Sequence, residues 1–328
     1  MISKLQQKTN DGELQQKKRS RASPSNWVDK LPKEMWTYHV LPCSTLKELK
    51  ELSELSHNSL FSEFWKSVVE SCHHIHVVCG HVRNEGNIWE GQTRIGISER
   101  LRPQLYCSTI ERAVYVATHM SVPGTVKIEL SKGVHEIRLS YLIVTCSHIT
   151  FVGKGKYLTT IRGGFYVENQ QHVKFEELTL TNSRGRGLLL AGSTVDVLKC
   201  AVKECQFTGM CMRGGATATA TQCEFMENGS TGVFCRGANT KARLNDCTMH
   251  HNGSHGLFVY DHAVVDLHGT KTDIHFNKYE GIAASDRGKV NIHLPSQHNT
   301  THGNVGEDRA QITGGSIANI NADGTIIE

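Results

Sequence analysis

No apolar run in this chain approaches the roughly 20 residues needed to cross a bilayer. The polar N-terminus, MISKLQQKTNDGELQQKKRSRASPSN, lacks the hydrophobic stretch of a secretory leader. Both absences lead to the expectation of an intracellular protein, cytoplasmic or nuclear, with no membrane partner. Proline is scarce, six residues against thirty glycines, which points to many turns without disorder. A strong charge of either sign is also missing: the net charge is +4, too weak to imply nucleic acid by itself. There is no C-x-x-C and no H-E-x-x-H. Eleven cysteines, an odd number, read as free thiols serving as small core residues. Nineteen histidines invite a metal, but they are scattered, so neither a metal nor another cofactor is expected.

The chain divides by character. Residues 1–26 read as a disordered basic arm, with Lys17, Lys18, Arg19 and Arg21 close together; a nuclear address is the alternative. Residues 27–72 carry helical periodicity. Leu46, Leu49, Leu52 and Leu55 recur at three-residue steps, and Phe61, Phe64, Trp65, Val68 and Val69 follow at helical spacing. Pro32 suits a first helical turn, and Ser44 or Thr45 suits a cap. Residues 73–107 read as a connecting segment in which HHIHVVCGHV suggests a strand. From 108 to 328 the chain is rich in β-branched residues, alternates in polarity and is punctuated by glycine.

One phrase recurs there. C-E-F-M-E-N-G-S-T-G-V-F, beginning at Cys223, returns as C-T-M-H-H-N-G-S-H-G-L-F, beginning at Cys247. Taking the last glycine as an anchor gives the series Gly187, Gly209, Gly232, Gly256, Gly281 and Gly303. Four residues before these anchors stand Ser183, Cys205, Asn228, Asn252, Asn277 and Asn299. Alternation at period two means strand, and recurrence about every 23 residues means that each turn repeats the last. Such a unit cannot bury its face alone, whereas stacked coils about 4.8 Å apart can. The fold class expected is mainly β: a parallel β-helix over 108–328, right-handed because the coil length varies, with a small N-terminal α-helical segment.

On this reading Cys200, Cys223 and Cys247 stack as small inner-face residues. Asn228, Asn252, Asn277 and Asn299 form a ladder at a corner, where asparagine tolerates a left-handed backbone. Three of these asparagines also read as glycosylation sequons, a reading discounted without a leader sequence. The stretch STIERAVYVATHM reads as a helix with Ile110, Ala113, Val114 and Ala117 on one side, covering the open end of the core.

The pattern of residues 108–328 resembles the right-handed parallel β-helix of the pectin-lyase-like superfamily. Many of its members cut acidic polysaccharides, but the signatures N-T-D, D-D, G-H-G, R-I-K, W-I-D-H and R-x-P-x-x-R do not occur here. No catalytic residue is therefore assigned. Counting on from the anchors, however, stacked coils would line up Arg213, Arg236 and Tyr260 on an outer face, with Asp261 and Asp286 beside them. Such a strip could bind a peptide or a sugar through charge-assisted bonds and stacking; the plainer alternative is a solvated polar face.

Residues 31–65 resemble an F-box. Leu31, Pro32, Glu34 and Met35 match its opening, Leu46, Leu49, Leu52 and Leu55 its leucine-spaced middle, and Phe64 with Trp65 its end. The resemblance implies docking to the Skp-type adaptor of a cullin–RING ubiquitin ligase; a plain helical cap is the alternative. The combined expectation is a non-enzymatic substrate receptor whose β-helix binds a protein partner. A carbohydrate-active or carbohydrate-binding β-helix, or a passive scaffold, stands as the alternative.

Overall fold

The computed structural model describes residues 73–78, 93–97, 103–119, 124–293, 300–321 and 323–327. The chain falls into two units, Met1–Ser67 and Val68–Glu328, and the described residues all belong to the second. The arm at 1–26 and the F-box-like residues Leu31, Pro32, Glu34, Met35, Leu46, Leu49 and Trp65 lie outside the described residues.

Each coil contributes three short strands, each pairing in parallel with its equivalent one coil away. Among the described residues the first face is a 13-stranded sheet; in it Thr194–Leu198 pairs with Thr217–Thr221 and the latter with Lys241–Asn245. The second and third faces share a 14-stranded sheet. The second contains Ala201–Lys203, Glu224–Met226, Thr248–His250, Asp273–His275 and Thr300–His302. The third contains Leu188–Ala191, Met210–Arg213, Val233–Arg236, Leu257–Tyr260, Ile282–Ala284 and Arg309–Gln311. The long strand Thr159–Glu168 joins the two, pairing with Thr179–Thr181 through its first half and with Leu188–Ala191 through its second.

Period-two alternation sends every other side chain inward. Val202, Phe225, Met249 and Ile274 form one fully buried column. Leu190, Met212, Cys235 and Val259 form another. Phe151, Phe165 and Phe175 fill the earlier coils as an aromatic cluster with centroids 4.8–5.1 Å apart. Burial of each such side chain contributes about 1.5–3 kcal/mol. Cys200, Cys223 and Cys247 are buried as expected, and their thiols donate to nearby carbonyls, Cys200 to Leu198 and Cys247 to Asn245, each at 3.3 Å. Burial pushes the Cys205 thiol up to about 12, and it pushes Cys200 further still. Cys200 and Cys205 are thus inert, protonated core groups.

The asparagine ladder is present, with three corrections. Asn228 Nδ2 donates to Asn252 Oδ1 at 3.0 Å, and Asn252 Nδ2 to Asn277 Oδ1 at 2.9 Å. The next member is Asn304, whose Oδ1 accepts from Asn277 at 2.9 Å, and not Asn299, which lies outside the described residues. The coil lengthens here, so counting a fixed spacing from Gly281 fails: the strand after Gly281 pairs with Arg309–Gln311, and Gly303 is not its anchor. The left-handed residue is also not the asparagine but the one before it, Glu227, His251 and Phe276, with φ of 53°, 55° and 52°. That residue turns the chain and leaves the asparagine free to point inward. At the upstream end the column is held by Asn182, not Ser183: the Gln206 amide donates to the Asn182 carbonyl as the Gly229 amide does to Cys205.

The helix Ile110–His119 forms as expected, burying Ile110, Ala113, Val114 and Ala117. It packs against the strands His74–Val77, Pro103–Cys107 and Gly133–Val144. In segment 73–107, expected as a connection with a strand in HHIHVVCGHV, that strand forms as His74–Val77 and the described strands extend the first face. His74–Val77 pairs in parallel with Val126–Leu130 on one side and Pro103–Cys107 on the other, and Thr93–Ile97 adds an antiparallel edge. The β-helix architecture therefore begins upstream of residue 108.

Candidate binding face

The strands of the third face turn two outward columns toward solvent. Strand register places Glu168 beside Ala191, Ala191 beside Arg213, and Arg236 beside Tyr260. Arg213 and Arg236 follow directly on the paired residues Met212 and Cys235, which completes the column. Glu168, Arg213, Arg236, Tyr260 and Asp261 line one open cleft of about 390 Å³. Its floor is low because the corner positions after the arginines are Gly214 and Gly237, at φ 61° and 92°; a side chain at either would fill the space it leaves. In the next coil the corner position is Asp261, also left-handed at 52°, so a carboxylate ends the cleft.

Charge is graded along the column. Neither Arg213 nor Arg236 forms an ion pair among the described residues, although other arginines and lysines do. Their guanidiniums face solvent beside an acid at each end. At one end the Tyr166 hydroxyl is hydrogen-bonded to Glu168, which raises its pKa. At the other the Tyr260 hydroxyl is hydrogen-bonded to Asp286, with the same effect. Both tyrosines therefore stay protonated donors at neutral pH. Asp261 is held by His262 Nδ1 at 3.0 Å, and the far nitrogen of that ring lies 3.3 Å from Arg287 Nη1.

A second outward column runs alongside. Phe234 and Phe258 are register partners with centroids 5.4 Å apart. His255 stacks on Phe258 at 4.8 Å, and Tyr279 lies 5.7 Å from His255. His255 Nε2 is 2.8 Å from Glu280 Oε2. Burial nonetheless lowers the His255 pKa. The face is thus a strip of aromatic rings bordered by two guanidiniums that make no ion pair among the described residues, that of Arg213 lying against the Tyr166 hydroxyl. Sequence reasoning aligned Arg213, Arg236 and Tyr260 correctly but did not register the rings; their outward phase, two residues after each anchor, was the available signal. Asp286 stands beside the cleft through Tyr260 and not among the residues lining it.

On the second face the histidines that look scattered in sequence are brought together. His250, His275 and His302 are register partners in successive coils, and Asp273, His275 and His302 could hold a metal ion.

A family model described as "Right handed beta helix region" matches residues 163–327. The chain belongs to the right-handed β-helix family. That membership fixes the hand of the solenoid expected from its variable coils. No curated protein matches this β-helix chain. Among solved structures it is similar to the A-module of mannuronan C-5 epimerase AlgE4 from Azotobacter vinelandii, with a TM-score of 0.45 and 14% identity over 65% of this chain and 73% of that one. It is also similar to pectate lyase Pel9A, with a TM-score of 0.44 and 13% identity over 77% and 80% of the two chains. A third is ORF18 of Geobacillus virus E2, with a TM-score of 0.40 and 10% identity over 64% and 58%.

Proposed function

We propose that the third face of the β-helix binds an extended acidic polysaccharide. The observation that carries this reading is the column of Arg213 and Arg236, without ion pairs among the described residues, beside the rings of Phe234, Phe258 and Tyr260. A uronate chain presents a carboxylate on each sugar and an apolar ring face between hydroxyls. Guanidiniums take carboxylates through paired hydrogen bonds, and aromatic rings take the sugar faces. The coil spacing of about 4.8 Å is close to the rise of one sugar residue, so successive coils meet successive units. Titration calorimetry with oligogalacturonate and oligoalginate, against a neutral glucan, tests it. Binding of the acidic chains that weakens with salt supports the reading, and equal or absent binding overturns it. Reducing-end and unsaturated-uronide assays on the same mixtures show whether binding leads to cleavage.

A second reading takes a protein as the ligand of the same face, with the chain acting as the substrate receptor of a cullin–RING ligase. It is supported by the F-box-like match of Leu31, Pro32, Glu34, Met35, Leu46, Leu49 and Trp65. Co-purification with the Skp-type adaptor, lost on Leu31→Ala/Met35→Ala, is the result expected on this reading. Failure of the wild-type chain to bind the adaptor removes it.

A further inference from the structure

The second face carries a cluster that neither reading uses. Asp273 and His275 stand two residues apart on one strand and so emerge on the same side of the sheet. The next coil pairs His275 with His302. Asp273 Oδ2 lies 3.2 Å from His275 Nδ1, and Asp273 Oδ1 lies 3.3 Å from His302 Nε2. One ligand atom from each residue falls within 4.8 Å of the others. Two ligand atoms held tetrahedrally at zinc bond lengths are about 3.4 Å apart, which is the separation seen for both imidazole–carboxylate pairs.

Four further observations bear on the site. The rings of His275 and His302 are parallel, 5.1 Å between centroids and 4° between planes, so the strand register holds both in place without a ligand. His275 Nδ1 is buried and, despite its proximity to Asp273, makes no hydrogen bond of acceptable geometry. A buried ring nitrogen without a bond calls for a partner. Phe276 presents its ring edge-on to both imidazoles, at 5.1 and 5.7 Å, walling one side with an apolar surface. His250 stacks beneath His275 at 4.9 Å, but its Nδ1 is engaged with His251 Nδ1 at 2.8 Å; it supports the ligand ring and does not join the set.

We propose that Asp273, His275 and His302 bind a divalent transition-metal ion of the zinc type, which clips two adjacent coils together. Two imidazoles and one carboxylate suit zinc, cobalt or nickel, whereas magnesium and calcium favour all-oxygen sites. The remaining coordination positions face solvent and take water. The competing account is a hydrogen-bonded trio in which Asp273 accepts from two rings, and it predicts no metal dependence.

Zinc titration of the chelator-treated full-length chain separates the two. One equivalent binds and raises the melting temperature by several degrees, since binding to the folded state alone stabilises it. His302→Ala and Asp273→Asn each abolish that rise, and His268→Gln, in a separate histidine stack on the first face, keeps it. Cobalt in place of zinc gives visible absorption bands in the wild type that disappear in His302→Gln, a readout that does not depend on how stable the alanine variant is. Absence of a zinc-dependent rise in the wild type, or a rise that survives both ligand substitutions, overturns the proposal.

Discussion

A methyl group added to Gly232 would stand 2.9 Å from Asn252 Nδ2 and 2.7 Å from the carbonyl oxygen of Gly256. The same relationship repeats up the stack: Gly209 meets Asn228 and Gly232, and Gly256 meets Asn277 and Gly281. This is why the asparagine and the glycine recur together. The ladder amide occupies the space over the anchor, and only a residue without Cβ lets the next coil approach. None of these anchors has positive φ, so the requirement is steric rather than conformational.

Gly232→Ala should therefore destabilise the chain, although Gly→Ala at a permissive site stabilises by about 0.4–1 kcal/mol through the unfolded state. The obstructing atoms belong to backbone and to a buried amide, so the coils must separate or the ladder must shift, at a cost of roughly 1–3 kcal/mol. Urea denaturation reads this as a lower midpoint. A midpoint equal to or above wild type shows that the stack can give at this corner.

Asn252 is fully buried. Its Oδ1 accepts from both the backbone and the side-chain nitrogen of Asn228, at 3.2 and 3.0 Å, and its Nδ2 donates to the Phe225 carbonyl at 3.0 Å. Asn252→Ala removes one molecule's worth of partners from groups that water cannot reach. Each orphaned buried group costs about 1–3 kcal/mol, and with several affected the loss should be roughly 2–4 kcal/mol. Denaturant midpoints at constant slope measure it.

How far the sequence led depends on whether the coil length held. Between Gly187 and Gly281 it grows by one residue per coil, from 22 to 25, and counting from the glycine put Arg213, Arg236 and Tyr260 in one column and Cys200, Cys223 and Cys247 in another, as found. After His293 the coil lengthens, and one insertion was enough to move the ladder partner from Asn299 to Asn304. The rings of Phe234 and Phe258 escaped notice because an apolar residue in a strand pattern is read as core, and hydrophobic periodicity alone does not distinguish an outward aromatic strip. The histidine column escaped for another reason: His250, His275 and His302 look dispersed until the coil period is applied to polar residues as well as apolar ones. In segment 73–107 the strand suggested by HHIHVVCGHV forms as His74–Val77, but its place in the first sheet was not legible, because its parallel partners Pro103–Cys107 and Val126–Leu130 lie about 30 and 50 residues on and no local pattern records a parallel pairing.

If the third face binds acidic polysaccharide, Arg236→Ala should weaken binding of oligogalacturonate about tenfold, in line with the roughly 1.5–3 kcal/mol typical of hydrogen bonds to charged groups. Arg236 is exposed and makes no ion pair among the described residues, so its removal should leave stability within about 0.5 kcal/mol of wild type. Arg236→Lys should recover only part of the affinity, because an ammonium does not bridge a carboxylate with two parallel bonds. Calorimetry and thermal melts on the same samples check both halves. Unchanged affinity in Arg236→Ala would exclude this column as the binding surface.

His135 supplies a pH dependence of predictable sign. Its ring is buried, and Nε2 donates to the Ser131 carbonyl at 2.9 Å, which requires the proton on that nitrogen. Burial lowers its pKa from the ordinary 6.5, against an opposing contribution from the Ser131 bond. Above pH 6.5 the ring is neutral in both folded and unfolded chains, and the interaction contributes in full. As the pH falls below 6.5 the unfolded chain takes up a proton that the folded chain resists, so stability declines until the folded pKa is passed. Unfolding free energy should thus fall from pH 7.5 to pH 5.5. His76, His255 and His268 are lowered by burial as well and add to the slope. His135→Gln keeps a donor for Ser131 but cannot titrate, and it should flatten the curve by one group's share. An identical slope in His135→Gln and wild type would mean that the ring is protonated as readily in the folded chain as in the unfolded one.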